Sequence, residues 1–279
     1  MKTILVPTDF SPNAQKALLY AVELAKNGGE KIILFHANHF AYINFDVAQT
    51  TLIEQNISLE KKIIKQLTDL STKTAKKYNV VCEVVHKQGL FMDIFNDVIK
   101  KYKVDLIVMG TKGKSALENV LMGSNTANII GKVNCPIIAV PEKSRHKALK
   151  KIVFATDYKS TDITSLELLI EIAKPTDAHI DVVHIASKES SETDELEHLN
   201  DFEKKMLKKN KYENISYKLL NGVEIDRELE LYIKKESICL IGITNQHRTF
   251  LQKIFGKSSV TKKLLYHTKI PLIAFYQKN

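Results

Sequence analysis

An internal repeat is the feature that most constrains what this chain of 279 residues can fold into. Three pairs of similar segments recur at a separation of 148 residues: Lys2–Asp9 with Lys150–Asp157, Glu23–Lys26 with Glu171–Lys174, and His36-Ala37 with His184-Ile185. A fourth pair, Asn134–Val140 with Lys269–Phe275, is separated by 135 residues. The first copy therefore holds about 13 extra residues, which we place in segment 38–60. The chain is predicted to be a tandem duplication.

A polar and basic stretch, residues 142–150, separates the two copies and is typical of a linker. We predict a first domain over residues 1–142 and a second domain over residues 149–279. Both lengths suit single domains, which commonly hold roughly 100–150 residues.

Strand and helix patterns alternate along each copy. In the first copy, apolar runs predict strands at residues 3–8, 32–37, 80–85, 104–109 and 136–140. Helical patterns predict helices at residues 12–27, about 47–78, around 94–99, and about 124–131. Ser11 is the predicted N-cap of the first helix, with Pro12 at its first position. This alternation predicts an α/β fold: two tandem open, five-stranded, mainly parallel sheets with helices on both faces.

A glycine-rich segment, residues 110–124, follows the fourth predicted strand. Glycine lets backbone N–H groups approach an anion without a Cβ in the way, and a helix N-terminus adds partial positive charge. In parallel α/β sheets, ligands bind at the carboxyl ends of the strands. Asp9, Ala37 and Gly110 each lie at such an end, so we expect them to converge on one crevice.

Composition narrows the class of protein. Hydrophobic residues make up 44% of the chain and charged residues 26%, as in ordinary globular domains. No apolar run reaches the roughly 18–20 residues of a membrane span, and Met1-Lys2 leads into a strand pattern rather than a signal peptide. We therefore expect a cytoplasmic protein without membrane association.

The net charge of +9 does not by itself predict a nucleic-acid-binding protein. The lysines are scattered over helical stretches without interleaved aromatic residues, which is typical of a solvated surface rather than a nucleic-acid groove. The three cysteines, Cys82, Cys135 and Cys239, lie in apolar runs without a Cys-x-x-Cys pair. We predict that they are buried structural thiols.

The first copy resembles the universal stress protein family in Val6–Asp9, His36-Ala37, Met109–Gly113, Gly123-Ser124 and Cys135-Pro136. The resemblance extends over essentially the whole chain as a two-domain member. It implies the adenine nucleotide alpha-hydrolase-like fold, with strand order 3-2-1-4-5 in each sheet. In nucleotide-binding members, the pattern Gly-x2-Gly-x9-Gly-Ser/Thr holds the ribose and phosphates of ATP, and the aspartate after strand one lies beside the adenine.

Position by position, the resemblance implies an ATP site in the first copy. Asp9 and Ala37 would contact the base, and Met109 and Gly110 the ribose region. The phosphates would lie at Gly113, Gly123, Ser124 and Asn125. The full set of predicted contacts is Pro7, Thr8, Asp9, Ala37, Met109, Gly110, Thr111, Gly113, Gly123, Ser124, Asn125 and Thr126.

Elementary chemistry agrees with this assignment. The Asp9 carboxylate can accept a hydrogen bond from the adenine amino group or a ribose hydroxyl. Lys112 and Lys114 would add positive charge around the triphosphate, and Mg²⁺ is expected with the ATP phosphates near Ser124 rather than on a site made of protein ligands alone. The alternative is that Asp9 only caps the first helix and the glycines only permit turns.

The second copy departs from the pattern at the cradle. Thr244 replaces Gly110, His247 replaces Gly113, and Ser258-Ser259 stand where Gly123-Ser124 stood. A shifted alignment could use Gly242 or Gly256, but it would not restore the full spacing. Because a Cβ at each contact pushes the backbone away from the phosphates, we predict that the second domain scaffolds or regulates rather than binds ATP.

No catalytic residue is predicted. The chain has neither the Walker pattern nor the Rossmann glycine pattern after a strand, and ATP hydrolysis would require an ordered water and a base beside the terminal phosphate. His36 and His184 occupy equivalent strand ends, which predicts a shared structural or pocket-lining role. The remaining histidines are predicted at the surface or in turns: His39, His86, His146, His179, His198 and His267.

Three functions remain open at this stage. The first is a nucleotide-responsive stress protein that binds ATP in its first domain with slow or no turnover. The second is an ATP-hydrolysing or adenylate-forming enzyme, and the third is a structural paralogue that binds no nucleotide. The resemblance also implies that the two domains pair through strand five, residues 136–140 with 271–275. Whether the chain dimerises further, and with which partner protein, is left open.

Overall fold

The structure, a computed structural model, describes residues 2–38, 49–111, 126, 129–130, 132–144, 148–186, 191–222, 225–244 and 269–275. The first half contains β1 (Thr3–Pro7), α1 (Pro12–Gly28), β2 (Lys31–Asn38), α2 (Gln49–Tyr78), β3 (Cys82–Gln88), α3 (Phe91–Lys101), β4 (Leu106–Gly110) and β5 (Ile137–Val140). The second half contains β6 (Lys151–Ala155), α4 (Ser160–Ala173), a 3₁₀ turn (Lys174–Thr176), β7 (His179–Ala186), α5 (Glu192–Lys209), β8 (Ile215–Asn221), α6 (Ile225–Lys235), β9 (Leu240–Thr244) and β10 (Leu272–Phe275). The predicted helix at 124–131 lies mostly outside the described residues.

Helix α1 begins and ends as its sequence predicts. The Ser11 hydroxyl accepts a hydrogen bond from the Ala14 N–H, and Pro12 occupies the first turn. At the other end Gly29 adopts φ +76°, and its N–H donates to the Ala25 carbonyl. This helix therefore starts directly behind the loop that carries Asp9.

The ten strands of the described residues form one sheet in the order β3-β2-β1-β4-β5-β10-β9-β6-β7-β8. Each half has the predicted order 3-2-1-4-5, and within each half every described strand pair is parallel. The two predicted sheets are continuous because β5 and β10 pair antiparallel, with Ile138 opposite Ile273. The halves thus meet through the two strands that the repeat places at their edges.

The hydrophobic core differs between the two faces of the sheet. The face covered by α1, α2, α4 and α5 has one cluster that runs through both halves and includes Val140 and Ile273 at the junction. The face covered by α3 and α6 has two separate clusters, one in each half. Burial on the first face therefore ties the halves together beyond the strand pairing itself.

The extra residues of the first copy lie between β2 and β3. β2 and β7 begin 148 residues apart, whereas β3 and β8 begin 133 residues apart. Helix α2 has 30 residues, and its counterpart α5 has 18. Most of the predicted insertion in 38–60 is therefore additional helix at the start of α2, and residues 39–48 lie outside the described part.

A buried charged network distinguishes the second half. Asp181 in β7 is 0% exposed and stands where the first half has Ile33. Its carboxylate accepts hydrogen bonds from Ser216 Oγ and Tyr232 OH, both at 2.7 Å, and pairs with Lys218 Nζ at 2.8 Å. Burial alone would raise the pKa of Asp181, but the hydrogen bonds from Lys218, Ser216 and Tyr232 hold it well below its usual value.

The cysteines are free thiols. Cys135 and Cys239 are buried as predicted, whereas Cys82 is half-buried. Burial raises the pKa of Cys135 to about 12, so this thiol stays protonated and unreactive at neutral pH. Among the described residues, no helix combines the length and apolar character needed to cross a membrane.

Candidate functional site

The predicted base and ribose contacts lie at one edge of three adjacent strands. Asp9 follows the end of β1, Ala37 is near the end of β2, and Gly110 ends β4. These strands are neighbours in the order β2-β1-β4 and run parallel, so their carboxyl ends meet. The Thr8 N–H donates to the Phe35 carbonyl at 2.8 Å, which continues the ladder to the rim of the crevice.

The loop after β1 is a tight turn held by its own side chains. Thr8 Oγ1 accepts from the Phe10 N–H and Asp9 Oδ1 accepts from the Ser11 N–H, both at 3.0 Å. Phe10 adopts φ +62°, an uncommon conformation for a residue with a Cβ. Ser11, and not Asp9, is therefore the N-cap of α1, while Asp9 stabilises the turn before it. A carboxylate offers about four lone-pair directions, so this role is compatible with contact to a ligand.

His36 fastens this loop to β2. Its Nδ1 lies 2.6 Å from the Thr8 carbonyl oxygen, which can only accept, so Nδ1 carries the proton. Its Nε2 lies 3.0 Å from Asn38 Oδ1. In the second half, His184 Nδ1 lies 2.7 Å from the Thr156 carbonyl oxygen in the same way. The predicted shared structural role of His36 and His184 is confirmed.

The prediction for one other histidine was wrong. His86 is not in a surface turn but in β3, where its side chain is 8% exposed and its ring stacks on His36 with centroids 5.7 Å apart. His179 begins β7 with its side chain 35% exposed, at the surface as predicted, and its ring contacts Asn214 and Asp181. The error for His86 has a simple cause: the apolar run starting at Val80 placed strand three two residues too early. Burial lowers the pKa of His86, and the His36 ring lowers it further.

Gly110 lies close against the start of α1. A Cβ at this position would lie 2.8 Å from Asn13 Nδ2 and 3.1 Å from the Asn13 carbonyl carbon. On its other side, the buried Thr126 hydroxyl donates to the Gly110 carbonyl at 2.9 Å, and the Thr111 N–H donates to the Val140 carbonyl at 3.0 Å. Gly110 therefore has a packing role that holds with or without a ligand.

The structure describes eight of the twelve predicted contact residues: Pro7, Thr8, Asp9, Ala37, Met109, Gly110, Thr111 and Thr126. The predicted phosphate contacts Gly113, Gly123, Ser124 and Asn125 lie outside the described residues, as do Lys112 and Lys114. Their second-half counterparts, His247 and Ser258-Ser259, also lie outside. Within the described residues, no group of three or more His, Cys, Asp or Glu side chains could hold a metal ion.

The second half repeats the loop but adds a carboxylate beside it. Tyr158 has φ +60°, and its N–H donates to Thr156 Oγ1 at 3.0 Å, as Phe10 does to Thr8. Asp162, at the position of Ala14, accepts from Thr156 Oγ1 and from the Asp157 N–H, both at 2.9 Å. The loop at the start of α4 is thus bound by a negative charge of the chain itself.

Two further side chains lie at this second crevice. Glu195 Oε2 lies 3.3 Å from His184 Nε2, and both side chains are mostly buried. Thr244, at the position of Gly110, ends β9 and is buried. Position 161 holds threonine where the first half has Asn13. Sequence comparison alone had indicated only the loss of glycine here.

Comparison with known proteins agrees with this architecture. The model of the universal stress protein family matches residues 1–141 and again residues 148–275. The chain is 25% identical to universal stress protein Slr1230 of Synechocystis, over 99% of this chain and 100% of that one. Universal stress protein MJ0577 of Methanocaldococcus jannaschii is 29% identical over 51% of this chain and 96% of its own length.

A solved structure supports the fold independently of sequence identity. The crystal structure of a universal stress protein from Archaeoglobus fulgidus superposes with a TM-score of 0.76 at 15% identity, over 99% of this chain and 98% of that one. At this identity the likeness concerns the fold alone. The two family matches, one in each half, and the full-length match to Slr1230 show that the chain belongs to the universal stress protein family as a tandem member.

Proposed function

We propose that the first half binds ATP, with Mg²⁺ on its phosphates, and that the protein is a cytoplasmic, nucleotide-responsive regulator without fast turnover. The observation that carries this proposal is the convergence of Asp9, Ala37 and Gly110 at one edge of three adjacent strands. Ligands of open α/β sheets occupy this place. The glycine spacing from Gly110 to Ser124, shared with nucleotide-binding members of the family, supports the same ligand.

In this proposal the described residues recognise the nucleoside. Asp9, held by the Ser11 N–H, would accept a hydrogen bond from the adenine amino group or a ribose hydroxyl. His36 holds the Thr8 carbonyl and so keeps the loop in place. In this proposal the segment after Gly110 would respond to the negative charge of the ATP phosphates. A regulatory effect requires that ATP binds two conformations of the protein with different affinity.

We further propose that the second half does not bind ATP. The support comes from contacts within the second half. The Asp162 carboxylate accepts a hydrogen bond from the Asp157 N–H, and Glu195 pairs with His184 near the end of β7. Thr244 adds a Cβ where the first half has Gly110. Two added carboxylates disfavour an approaching polyphosphate, because like charges repel most strongly where water is excluded.

The test begins with the ligand. Mass spectrometry of small molecules released from the purified, denatured full chain, together with calorimetric titration of ATP-Mg²⁺, should show one ATP site per chain. Absence of both retained nucleotide and titratable binding would contradict the proposal and favour a structural role. ADP or AMP that accumulates with time would favour the enzyme instead.

Matched variants assign the site to one half. Asp9→Ala, Gly113→Val and Gly123→Val should each abolish the rise in melting temperature on adding ATP-Mg²⁺, because they remove a nucleoside acceptor or place a side chain against the phosphates. Asp157→Ala and His247→Ala, at equivalent positions of the second half, should leave that rise unchanged. Loss of the ATP response in either second-half variant would overturn the one-sided assignment.

A further inference from the structure

The outer strand β3 carries main-chain groups without a strand partner on one side. Among the described strands it pairs with β2 only. The Ile32 N–H donates to the Val81 carbonyl, so in this parallel ladder the odd-numbered residues of β3 direct their N–H and C=O groups to β2. The N–H and C=O groups of Val84 and His86 therefore point to the outer edge.

This edge is accessible along its centre. Helix α2 contacts this strand at its beginning, where Ser71 Oγ donates to the Cys82 carbonyl, and towards its end, where Glu60 Oε1 lies 3.9 Å from His86 Nε2. Between these contacts Val84 is exposed, and Val81 and Leu90 at the two flanks are 60% and 67% exposed. An accessible strand edge of this kind is a template for pairing with another strand.

Helix α2 adds apolar surface next to the edge. Ile57 and Ile64 lie seven residues apart, on one face of the helix, and both are exposed. Since α2 packs on β3, two copies joined at this edge would bring their α2 helices together as well. The helices would supply apolar contact area that a single strand pair lacks.

The charges along β3 select one way of pairing. We propose that β3 is the contact strand of a homodimer, in which two copies pair antiparallel about a two-fold axis at Val85. In this register Val84 lies opposite His86 of the second copy, so all four outward groups exchange hydrogen bonds. Glu83 then lies opposite Lys87 of the second copy, and the symmetry makes this opposite-charge pair twice.

Neighbouring registers lose this complementarity. An axis at Val84 places Glu83 opposite Val85, and an axis at His86 places Lys87 opposite Val85. Glu83 already pairs with Lys31 at 3.3 Å on the exposed surface, so in the dimer its carboxylate would lie between two lysines. The register centred on Val85 is therefore the one that the side chains favour.

The other outer strand, β8, does not offer the same match. Its Asn214 carbonyl accepts from the Ile180 N–H, so the odd-numbered residues from Ile215 face outward. The equivalent two-fold register places Lys218 opposite Lys218, and like charges directly opposite destabilise a strand pair. Lys218 is also bound to Asp181. Pairing at one edge only gives a closed dimer instead of an open polymer.

The experiment is sedimentation equilibrium of the full chain over a concentration series reaching hundreds of micromolar. The wild type should dimerise. Glu83→Lys and Lys87→Glu should each weaken dimerisation by about tenfold or more, because two attractive pairs become repulsive. The double variant Glu83→Lys/Lys87→Glu should restore it, since the pairs re-form with exchanged signs.

Proline substitutions provide a matched backbone control. Val84→Pro removes an outward N–H that the monomer does not use in its sheet, so it should abolish the dimer while circular dichroism shows an intact fold. Leu219→Pro, at an outward position of β8, should leave dimerisation unchanged. A monomeric wild type, a dimer insensitive to charge reversal, or dissociation by Leu219→Pro in place of Val84→Pro would overturn the proposal.

Discussion

At the scale of single residues, comparison of equivalent positions in the two halves indicates why a residue type occurs in one half and not in the other. The first half pairs Gly110 with Asn13, and a Cβ on the glycine would meet the asparagine at 2.8 Å. The second half has Thr244 and Thr161 at the same places. We therefore expect the glycine to be coupled to Asn13 on α1, and exchange of both residues to relieve the conflict.

This coupling can be measured. Gly110→Ala should destabilise the protein by about 1–3 kcal/mol, because the added methyl would lie 2.8 Å from the Asn13 side chain. Asn13→Thr in the same chain should recover part of the loss, giving a favourable interaction energy in a double-mutant cycle of urea unfolding. Additive effects of the two substitutions would show that Asn13 is not the obstacle.

At the scale of elements, most boundaries follow the local pattern, and one buried feature does not. Strand β7 places Asp181 in the interior, where it gathers groups from β6, β8 and α6, including Lys151 Nζ at 3.3 Å. The first half fills the same space with Ile33 and other apolar side chains. A polar network in the interior is stable only when its members are bonded.

The network predicts a pH-dependent stability. The pKa of Asp181 is lower in the folded state than in the unfolded state, so it stabilises the fold above its unfolded pKa and loses that effect as pH falls below about 4. Asp181→Asn should therefore cost about 3–5 kcal/mol at pH 7 and clearly less at pH 3, measured by urea unfolding.

An exposed aspartate serves as the control for this prediction. Asp201, on the outer side of α5, lies near Lys204 at the surface, so Asp201→Asn should change stability little at either pH. A loss in Asp181→Asn that is equal at pH 7 and pH 3 would mean that packing, and not the charge of Asp181, makes the difference.

At the scale of the whole molecule, the repeat produces one sheet with one shared core. The junction between Ile138 and Ile273 is covered by a cluster that contains side chains from both halves. Neither half buries this surface by itself. The two halves should therefore unfold together although each resembles a complete domain.

Single tryptophans can report on each half, because the chain contains none. Tyr78→Trp in the first half and Tyr217→Trp in the second replace half-buried rings that pack on the shared cluster. The two fluorescence midpoints in urea should coincide with each other and with the circular dichroism midpoint, as expected for one cooperative transition. Separate midpoints would mean that the halves unfold independently.

The repeat and the periodic apolar runs were enough to predict the alternating elements, and the family resemblance supplied the strand order. They succeeded because strand patterns, the cap at Ser11 and the glycine at Gly29 act over a few residues. The start of β3 was misplaced because the apolar run starts at Val80, whereas the strand begins at Cys82. Because the predicted strand ended at residue 85, His86 was placed outside it and its burial was not predicted.

By itself, the sequence determined that the chain contains two copies of one α/β unit, and that only the first copy keeps the glycine spacing of a nucleotide site. Only the tertiary structure decided that Gly110 lies against Asn13 and that Asp181 occupies a core position. It also decided that, in the second crevice, Asp162 accepts from the Asp157 N–H and Glu195 pairs with His184. The physical reason is distance along the chain. Turns and caps depend on neighbours in sequence, whereas steric conflict and charge pairing depend on side chains that only folding brings together.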